Sequence, residues 1–91
     1  VMRVIVAGKE NGVQKTYTYD LLDRYDAATK TSSMARTTGY TCTGAARLIL
    51  ENKFTRKGVS TPEFVGEDEN NFHDMLNYLK ARNIHYKLTI A

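Results

Sequence analysis

Two runs at the start of the chain alternate apolar with polar residues, and the dipeptide Asn11-Gly12 lies between them. This dipeptide tolerates the two positive φ angles of a type I′ turn, so the pattern predicts a β-hairpin over residues 1–22. The turn fixes the register, which puts Arg3 opposite Asp20 as an ion pair on a mixed face. The opposite face is expected to be the core face, with the pairs Val6–Tyr17, Val4–Tyr19 and Met2–Leu21.

A period of three to four residues runs from Ser32 to Lys53 and predicts the longest helix of the chain, with Ser32 or Ser33 as its N-cap. Its glycines and threonines are poor formers of a helix interior, so packing rather than propensity must stabilise it. Because small residues let a backbone, a helix or a ligand come close, we expect this helix to lie at the edge of a site. The positions expected on its buried face are Met34, Thr38, Cys42, Ala45 and Ile49.

The second half of the chain predicts a loop, a helix and a strand. Residues 54–66 contain two glycines and the only proline, which favours a loop of about a dozen residues. Residues 68–82 have the pattern of an amphipathic helix, and Asn83 suits a left-handed residue at its end. Alternation over residues 84–90 predicts a half-buried strand. On the helix, the core side is expected to hold Phe72, Met75, Leu76 and Leu79, and the solvent side Asn71, Asp74, Asn77 and Lys80.

These elements occur in the order ββααβ, with a polar connection over residues 23–31. The sequence therefore predicts a small α+β fold, in which a mixed or antiparallel sheet of three strands carries two helices on its core face. A chain of 91 residues fits one small domain, which buries only about 60 to 65% of the surface of its unfolded form. The chain opens inside the apolar run VMRVIVAG, so we expect it to be part of a longer protein.

The composition is that of a soluble globular protein, with 42% hydrophobic and 25% charged residues. No apolar run approaches the length of a membrane span, and a single cysteine cannot form an internal disulfide, so we expect a cytoplasmic protein. The net charge is +3, but the lysines and arginines are spread along the chain. We therefore expect binding neither to nucleic acid nor to a membrane.

Few residues offer catalytic or metal-binding chemistry. The glycines of the hairpin lack the spacing and the strand-to-helix context of a dinucleotide-binding loop, so the chain is not expected to hold NAD(P) by itself. Cys42 has small neighbours on a helix and is interpreted as a packing residue. His73 and His85 lack the spacing of metal ligands, and Glu69 is expected to pair with His73 on the surface. The tyrosines expected in the core are Tyr17, Tyr19 and Tyr86.

Three stretches carry a resemblance to a known family: SSMARTTGY at residues 32–40, GAARLIL at 44–50 and KGVSTPE at 57–63. They resemble the C-terminal segment of the saccharopine dehydrogenase family of NAD(P)-dependent oxidoreductases, which includes carboxynorspermidine synthase. The likeness covers residues 19–84. Cys42 and Thr43 stand where small aliphatic residues are expected.

The resemblance implies a piece of a substrate and dimerisation domain, whose parent protein holds NAD(P) in a separate Rossmann domain. Enzymes of this family transfer hydride between a nicotinamide cofactor and the C–N bond of a secondary amine, and lysine metabolism is the implied pathway. The implied substrate is an amino-acid or polyamine adduct, and the fragment alone is expected to be inactive. We also expect a homodimer through the sheet, because a sheet cut from a larger one leaves unpaired edge groups. The alternatives are a stand-alone interaction or ligand-binding module and a basic nucleic-acid-binding domain.

The expected substrate-binding residues lie in the first two turns of the long helix, and they are Ser33, Arg36, Thr37 and Tyr40. Arg36 places a cation at the positive end of the helix dipole, which is unfavourable unless a negative group pairs with it. One interpretation is an anion site, in which Arg36 and free backbone N–H groups bind a substrate carboxylate. The other is an ion pair with Asp23 or Asp26, or a contact with another domain. Tyr25 and Tyr40 are not assigned to the core, and Tyr40 shares a helix side with Arg36 and Arg47, so one of the two tyrosines is a candidate to hydrogen-bond substrate or another domain.

Overall fold

The computed structural model describes residues 1–91 and confirms the small α+β fold with the order ββααβ. A short additional helix lies between the two main helices, inside the segment predicted as a loop. Pro62 occupies its first turn, where the missing N–H of proline costs nothing. The elements are β1 (Met2–Glu10), β2 (Val13–Leu21), α1 (Ser33–Leu50), α2 (Pro62–Gly66), α3 (Glu69–Lys80) and β3 (Tyr86–Ile90).

The hairpin has the predicted turn and register. Asn11 and Gly12 have φ angles of 51° and 80°, as a type I′ turn requires. Arg3 lies opposite Asp20 and forms the expected ion pair. The apolar pairs also agree with the prediction, and they are Met2–Leu21, Val4–Tyr19 and Val6–Tyr17.

All three strands are antiparallel, and β2 lies in the centre of the sheet. The pairing of β2 with β3 extends to Thr16 and Ala91, whose backbone groups exchange two hydrogen bonds of 2.9 Å. Strand β1 therefore forms one edge of the sheet and β3 forms the other. Each edge leaves a row of backbone groups without a neighbour in this chain.

The buried core lies at one end of the sheet. It consists of Leu21, Leu79 and Ile84, with Tyr40 and Tyr86 packed against it. Helix α3 also contacts the sheet through Phe72, whose ring meets the ring of Tyr19 edge-on at 6.1 Å. The core side of α3 is thus as predicted, because its apolar residues are buried or half-buried.

The far half of the sheet is uncovered, which corrects the expectation of a continuous core face. Every residue of β1 is exposed, including Val4 and Val6, and so are Leu88 and Ile90 in β3. The hairpin extends past the helices, which gives overall dimensions of 47 × 32 × 20 Å. The radius of gyration is 14.8 Å, compared with about 12 Å for a compact domain of this length.

The predicted buried face of α1 is wrong. Met34 and Ile49 are 76% and 57% exposed, whereas the buried residues of the helix are Arg36, Gly44 and Leu48. The inner side was not recognisable as apolar because it contains an arginine, which is buried with carboxylate partners, and a glycine, which lets α3 come close. A Cβ at Gly44 would lie 3.0 Å from Cδ1 of Tyr78. A small residue does allow a second helix to pack closely on α1, as predicted, but this residue is Gly44 and it lies outside the predicted buried face.

Asn71 was also placed on the wrong side of its helix. It is buried, and its Nδ2 donates a hydrogen bond of 3.0 Å to the carbonyl oxygen of Lys53. Its own N–H donates to Oδ1 of Asp68, the N-cap of α3, at 3.0 Å. The amide is buried because it joins the start of α3 to the end of α1. Asn83 has φ 61° and ends the following turn in the left-handed conformation, as predicted.

Candidate functional site

The first turn of α1 positions the predicted substrate-binding residues. Oγ of Ser32 accepts a hydrogen bond of 3.2 Å from the N–H of Ala35, so Ser32 is the N-cap and Ser33 is the first residue of the helix. Arg36 follows one turn later on the inner side. In the connection before the helix, Asp26 and Thr31 form an isolated antiparallel bridge. This bridge holds Asp26 close to the start of α1.

Arg36 is buried between two carboxylates. Its Nε lies 3.3 Å from Oδ2 of Asp23 and its Nη1 lies 3.3 Å from Oδ2 of Asp26. Its Nη2 donates to Oδ1 of Asp23 at 3.4 Å and to the carbonyl oxygen of Arg82 at 3.0 Å. The ion-pair interpretation of Arg36 therefore has its partners in the structure. With two carboxylates around one guanidinium, the group carries an excess of negative charge.

The electrostatics of this group favour the charged forms. The hydrogen bond and the charge of Asp23 raise the pKa of Arg36 above its ordinary value. The pKa of Asp26 is lowered, first by the hydroxyl of Thr29, then by the N–H groups of Ala28 and Thr29 and by the charge of Arg36. The corresponding distances to the Asp26 carboxylate are 2.9 Å from the Thr29 hydroxyl and 3.0 Å from the Ala28 N–H. Asp26 thus also holds its own loop in place.

A depression of about 360 Å³ lies beside these ion pairs. It is open to solvent and mainly polar, so its shape gives little enclosure to a ligand. The exposed side chains of Arg24 and Tyr25 lie at its rim. Its remaining lining residues are Leu22, Asp23, Asp26, Arg36 and Asn83.

The other predicted site residues lie on the same inner side of α1. The hydroxyl of Thr37 donates to the carbonyl oxygen of Ser33 at 3.0 Å, so it is turned back onto the helix. The ring of Tyr40 is half-buried, and the guanidinium groups of Arg36 and Arg82 each lie 5.8 Å from its centroid. The structure therefore brings Arg36 and Tyr40 together. Arg47 does not join them.

The sequence comparison identifies the family. The family model for the saccharopine dehydrogenase C-terminal domain matches residues 1–84. The chain belongs to this family. The match spans both strands of the hairpin and all three helices, so it confirms the resemblance carried by residues 32–63. No solved structure matches the chain closely.

Two residues of this saccharopine dehydrogenase C-terminal domain were missed by sequence reasoning. The guanidinium of Arg82 stacks on the ring of Tyr78, 3.4 Å from its centroid, and Nη1 of Arg82 donates to the Tyr78 carbonyl oxygen at 3.0 Å. The Tyr78 hydroxyl lies 3.0 Å from the hydroxyl of Thr43 in α1. The two residues are four positions apart at the end of a predicted helix, which is the spacing of side-chain pairs. That spacing was the available sequence signal.

The remaining candidate residues lie outside this site. Cys42 is exposed, so its interpretation as a packing residue is wrong within this chain. Arg47 pairs with Glu51 at 3.1 Å on the surface. His73 pairs with Glu69 at 3.6 Å, as predicted. No three side chains of His, Cys, Asp or Glu form a metal-binding group, and none of the helices has the length and apolar character needed to cross a bilayer.

Proposed function

We propose that this domain is the substrate-side part of an NAD(P)-dependent oxidoreductase, which acts on the C–N bond of an amino-acid or polyamine adduct, with lysine metabolism as the pathway. Family membership supports this proposal. In the proposed enzyme NAD(P) is held by a Rossmann domain of the same parent chain, and the isolated domain is inactive. A cytoplasmic location belongs to the proposal, because the single cysteine is free.

The observation that carries the proposal is the uncharged outer face of α1. A helix that faces solvent normally has charged residues opposite its buried stripe. Over its 18 residues, α1 has only two charged residues, of which Arg36 is buried and Arg47 lies near the C-terminal end. Met34, Ile49 and Leu50 are exposed on the helix instead. We infer that another part of the parent protein packs against this face, and we propose that this part is the Rossmann domain.

Cys42 provides a direct test, because it lies midway along the uncharged face. In the isolated domain its thiol should react rapidly with a disulfide reagent, since it is exposed. In the full-length enzyme the same thiol should react at least about tenfold more slowly, because the covered face excludes the reagent. The matched control is the denatured form of both proteins, in which the rates should be equal. Equal rates in the two native proteins would refute the proposed contact.

Cofactor binding separates this domain from a complete enzyme. Gly8 and Gly12 belong to the hairpin and not to a strand-to-helix turn, so we expect this domain to have no pyrophosphate-binding loop. Calorimetric titration of the isolated domain with NADH and with NADPH should give no binding heat. A micromolar dissociation constant for either cofactor would contradict the proposal.

Substrate binding by Ser33, Arg36, Thr37 and Tyr40 stays a prediction. Arg36 uses most of its donors on Asp23, Asp26 and a backbone carbonyl. The hydroxyl groups of Ser33 and Tyr40 are the polar groups of this set with no side-chain hydrogen bond inside the chain. A substrate that contacts this side of α1 would therefore meet Tyr40 beside two guanidinium groups.

A further inference from the structure

Three asparagines of the chain have the left-handed backbone conformation. They are Asn11, Asn52 and Asn83, with φ angles of 51°, 57° and 61°, and all three are exposed. Asn11 precedes Gly12, whereas the other two precede a lysine and an isoleucine. The three positions therefore share a conformation and differ in the residue that follows.

The backbone N–H that follows each asparagine separates the first position from the other two. Lys53 donates its N–H to the carbonyl oxygen of Leu48 at 2.9 Å, and Ile84 donates its N–H to that of Leu79 at 3.0 Å. The N–H of Gly12 donates no hydrogen bond to another backbone group of the chain. A Cβ at Gly12 would also meet nothing within 4 Å. The nitrogen of Gly12 is therefore both unbonded and unshielded.

The nitrogen of Gly12 is the next backbone nitrogen after the side-chain amide of Asn11, so its attack on that amide closes a five-membered succinimide ring. The nitrogen forms a C–N bond to the amide carbon, the C–N bond to the side-chain NH₂ group breaks, and ammonia leaves with the proton of the attacking nitrogen. Water then opens the ring at one of its two carbonyl carbons, which gives isoaspartate or aspartate. We propose that Asn11 is a site of this deamidation in the folded domain, with isoaspartate as the product that alters the hairpin. The reaction needs no cofactor and no other domain, so it is independent of the proposed oxidoreductase function.

The conformation of the turn controls the rate of this reaction. Ring closure requires the peptide plane that follows Asn11 to rotate toward its side chain, out of the left-handed conformation with ψ of about +47°. The turn must therefore open before the nitrogen attacks. This opening is local, because the turn and both strand ends beside it are exposed and the core lies at the other end of the sheet. At Asn52 and Asn83 the opening must also break the hydrogen bond of the attacking nitrogen, and the side chain of the next residue hinders its approach.

Isoaspartate changes the hairpin because its main chain runs through the side-chain carbon atoms. The two-residue loop then contains one more backbone atom, which no longer fits the type I′ turn that sets the register. Beside the turn, Glu10 pairs with Val13 across the strands, and its carboxylate accepts a hydrogen bond of 2.7 Å from the hydroxyl of Tyr17. Deamidation also adds a carboxylate next to Glu10, and the net charge decreases by one unit from +3. Loss of strand pairing should therefore begin at this end of the hairpin and leave Leu21 in place.

Peptide mapping tests the site. The native domain is kept at mildly alkaline pH, which favours loss of the proton from the attacking nitrogen, and samples are digested with trypsin after increasing times. The peptide of residues 10–15 has Asn11 as its only asparagine. It should gain about 1 Da at least about tenfold faster than the peptides that contain Asn52 and Asn83, whose attacking nitrogens are hydrogen-bonded. An unchanged mass at Asn11, or an equal rate at Asn52 or Asn83, would overturn the proposal.

Hydrogen exchange tests the effect on the hairpin. The matched control is Asn11→Asp, which has the charge of the deamidated product and a normal backbone. The isoaspartate form is separated from the aged domain by ion-exchange chromatography and identified by enzymatic methylation of its free α-carboxylate. Its hydrogen-bonded amides beside the turn should exchange at least about tenfold faster than in Asn11→Asp, whereas the Leu21 amide should exchange equally in both. Equal exchange beside the turn would overturn the proposed effect of isoaspartate.

Discussion

Arg36 and Asp23 form a two-point ion pair on the inner side of α1, and each side chain is only 8% exposed. The planar guanidinium matches the two oxygens of the carboxylate, and Asp26 occupies a third donor. The pair joins the connection after β2 to the first turn of α1. It also offsets the unfavourable position of a cation at the start of a helix.

Arg36→Lys should lower the melting temperature of the isolated domain. Lysine keeps the charge but cannot make the two parallel hydrogen bonds, so the buried carboxylate of Asp23 loses one of its two donors. The matched control is Arg3→Lys, whose ion pair with Asp20 is exposed and should contribute little. Thermal unfolding followed by circular dichroism measures both. Equal decreases in melting temperature for the two variants would contradict a structural role of Arg36.

The same substitution in the proposed full-length oxidoreductase distinguishes a structural role of Arg36 from a role in substrate binding. For a structural role, Arg36→Lys should lower the melting temperature and change kcat/KM by less than about tenfold. A contact with a substrate carboxylate would instead lower kcat/KM at least about tenfold and leave the melting temperature nearly unchanged. Steady-state kinetics and thermal unfolding of one preparation decide between the two roles.

Acid should destabilise the domain through Asp26. Its folded-state pKa lies below the ordinary value because of Thr29, Ala28 and Arg36, so its stabilising contribution is present above the unfolded pKa of about 3.9 and is lost as the pH falls through the folded pKa. The melting temperature should therefore decrease below about pH 4. Asp26→Asn should lower it at neutral pH and make it less dependent on pH. Thr29→Val should do the same more weakly, and a pH profile identical to that of the unmodified domain would exclude Asp26 as the cause.

Gly44→Ala and Gly39→Ala should have opposite effects. A Cβ at Gly44 would lie 3.0 to 3.1 Å from Tyr78 and Met75, which should cost about 1 to 3 kcal/mol through overpacking of α1 on α3. A Cβ at Gly39 meets nothing within 4 Å, so this change should stabilise the helix by about 0.5 to 1 kcal/mol. Urea unfolding of both variants measures the difference. Stabilisation by both would show that the two helices separate easily.

Asn71→Ala should destabilise the domain by about 1 to 3 kcal/mol, because the carbonyl oxygen of Lys53 loses its donor in a half-buried position. Asn77→Ala is the control on the same helix, since Asn77 is exposed and alanine is the better helix former. Urea titrations should show that Asn71→Ala lowers the free energy of unfolding relative to the unmodified domain and that Asn77→Ala raises it slightly. A neutral Asn71→Ala would mean that water replaces the amide.

The hairpin was predictable because local turn chemistry and cross-strand pairing agree at Asn11-Gly12. The inner face of α1 was not, because hydropathy assigns an arginine to solvent. Arg36 is buried through Asp23 and Asp26, which are ten to thirteen residues away, and Gly44 is buried through Tyr78 in another helix. Such partners depend on tertiary structure, which a periodic pattern does not contain. The ion pairs of Arg36 could be proposed only as one of two interpretations, because the separation of residues along the sequence does not give the distance between their side chains.

The position of the core also determines how the backbone opens. Leu21, Leu79 and Ile84 lie together at the base of the sheet, and the N–H of Ile84 bonds to the carbonyl oxygen of Leu79 at 3.0 Å. Amides at this base can exchange with deuterium only when the whole domain unfolds, whereas amides near Asn11 exchange through small local openings. Among the hydrogen-bonded amides of the hairpin, protection against exchange should therefore decrease from Leu21 toward the turn.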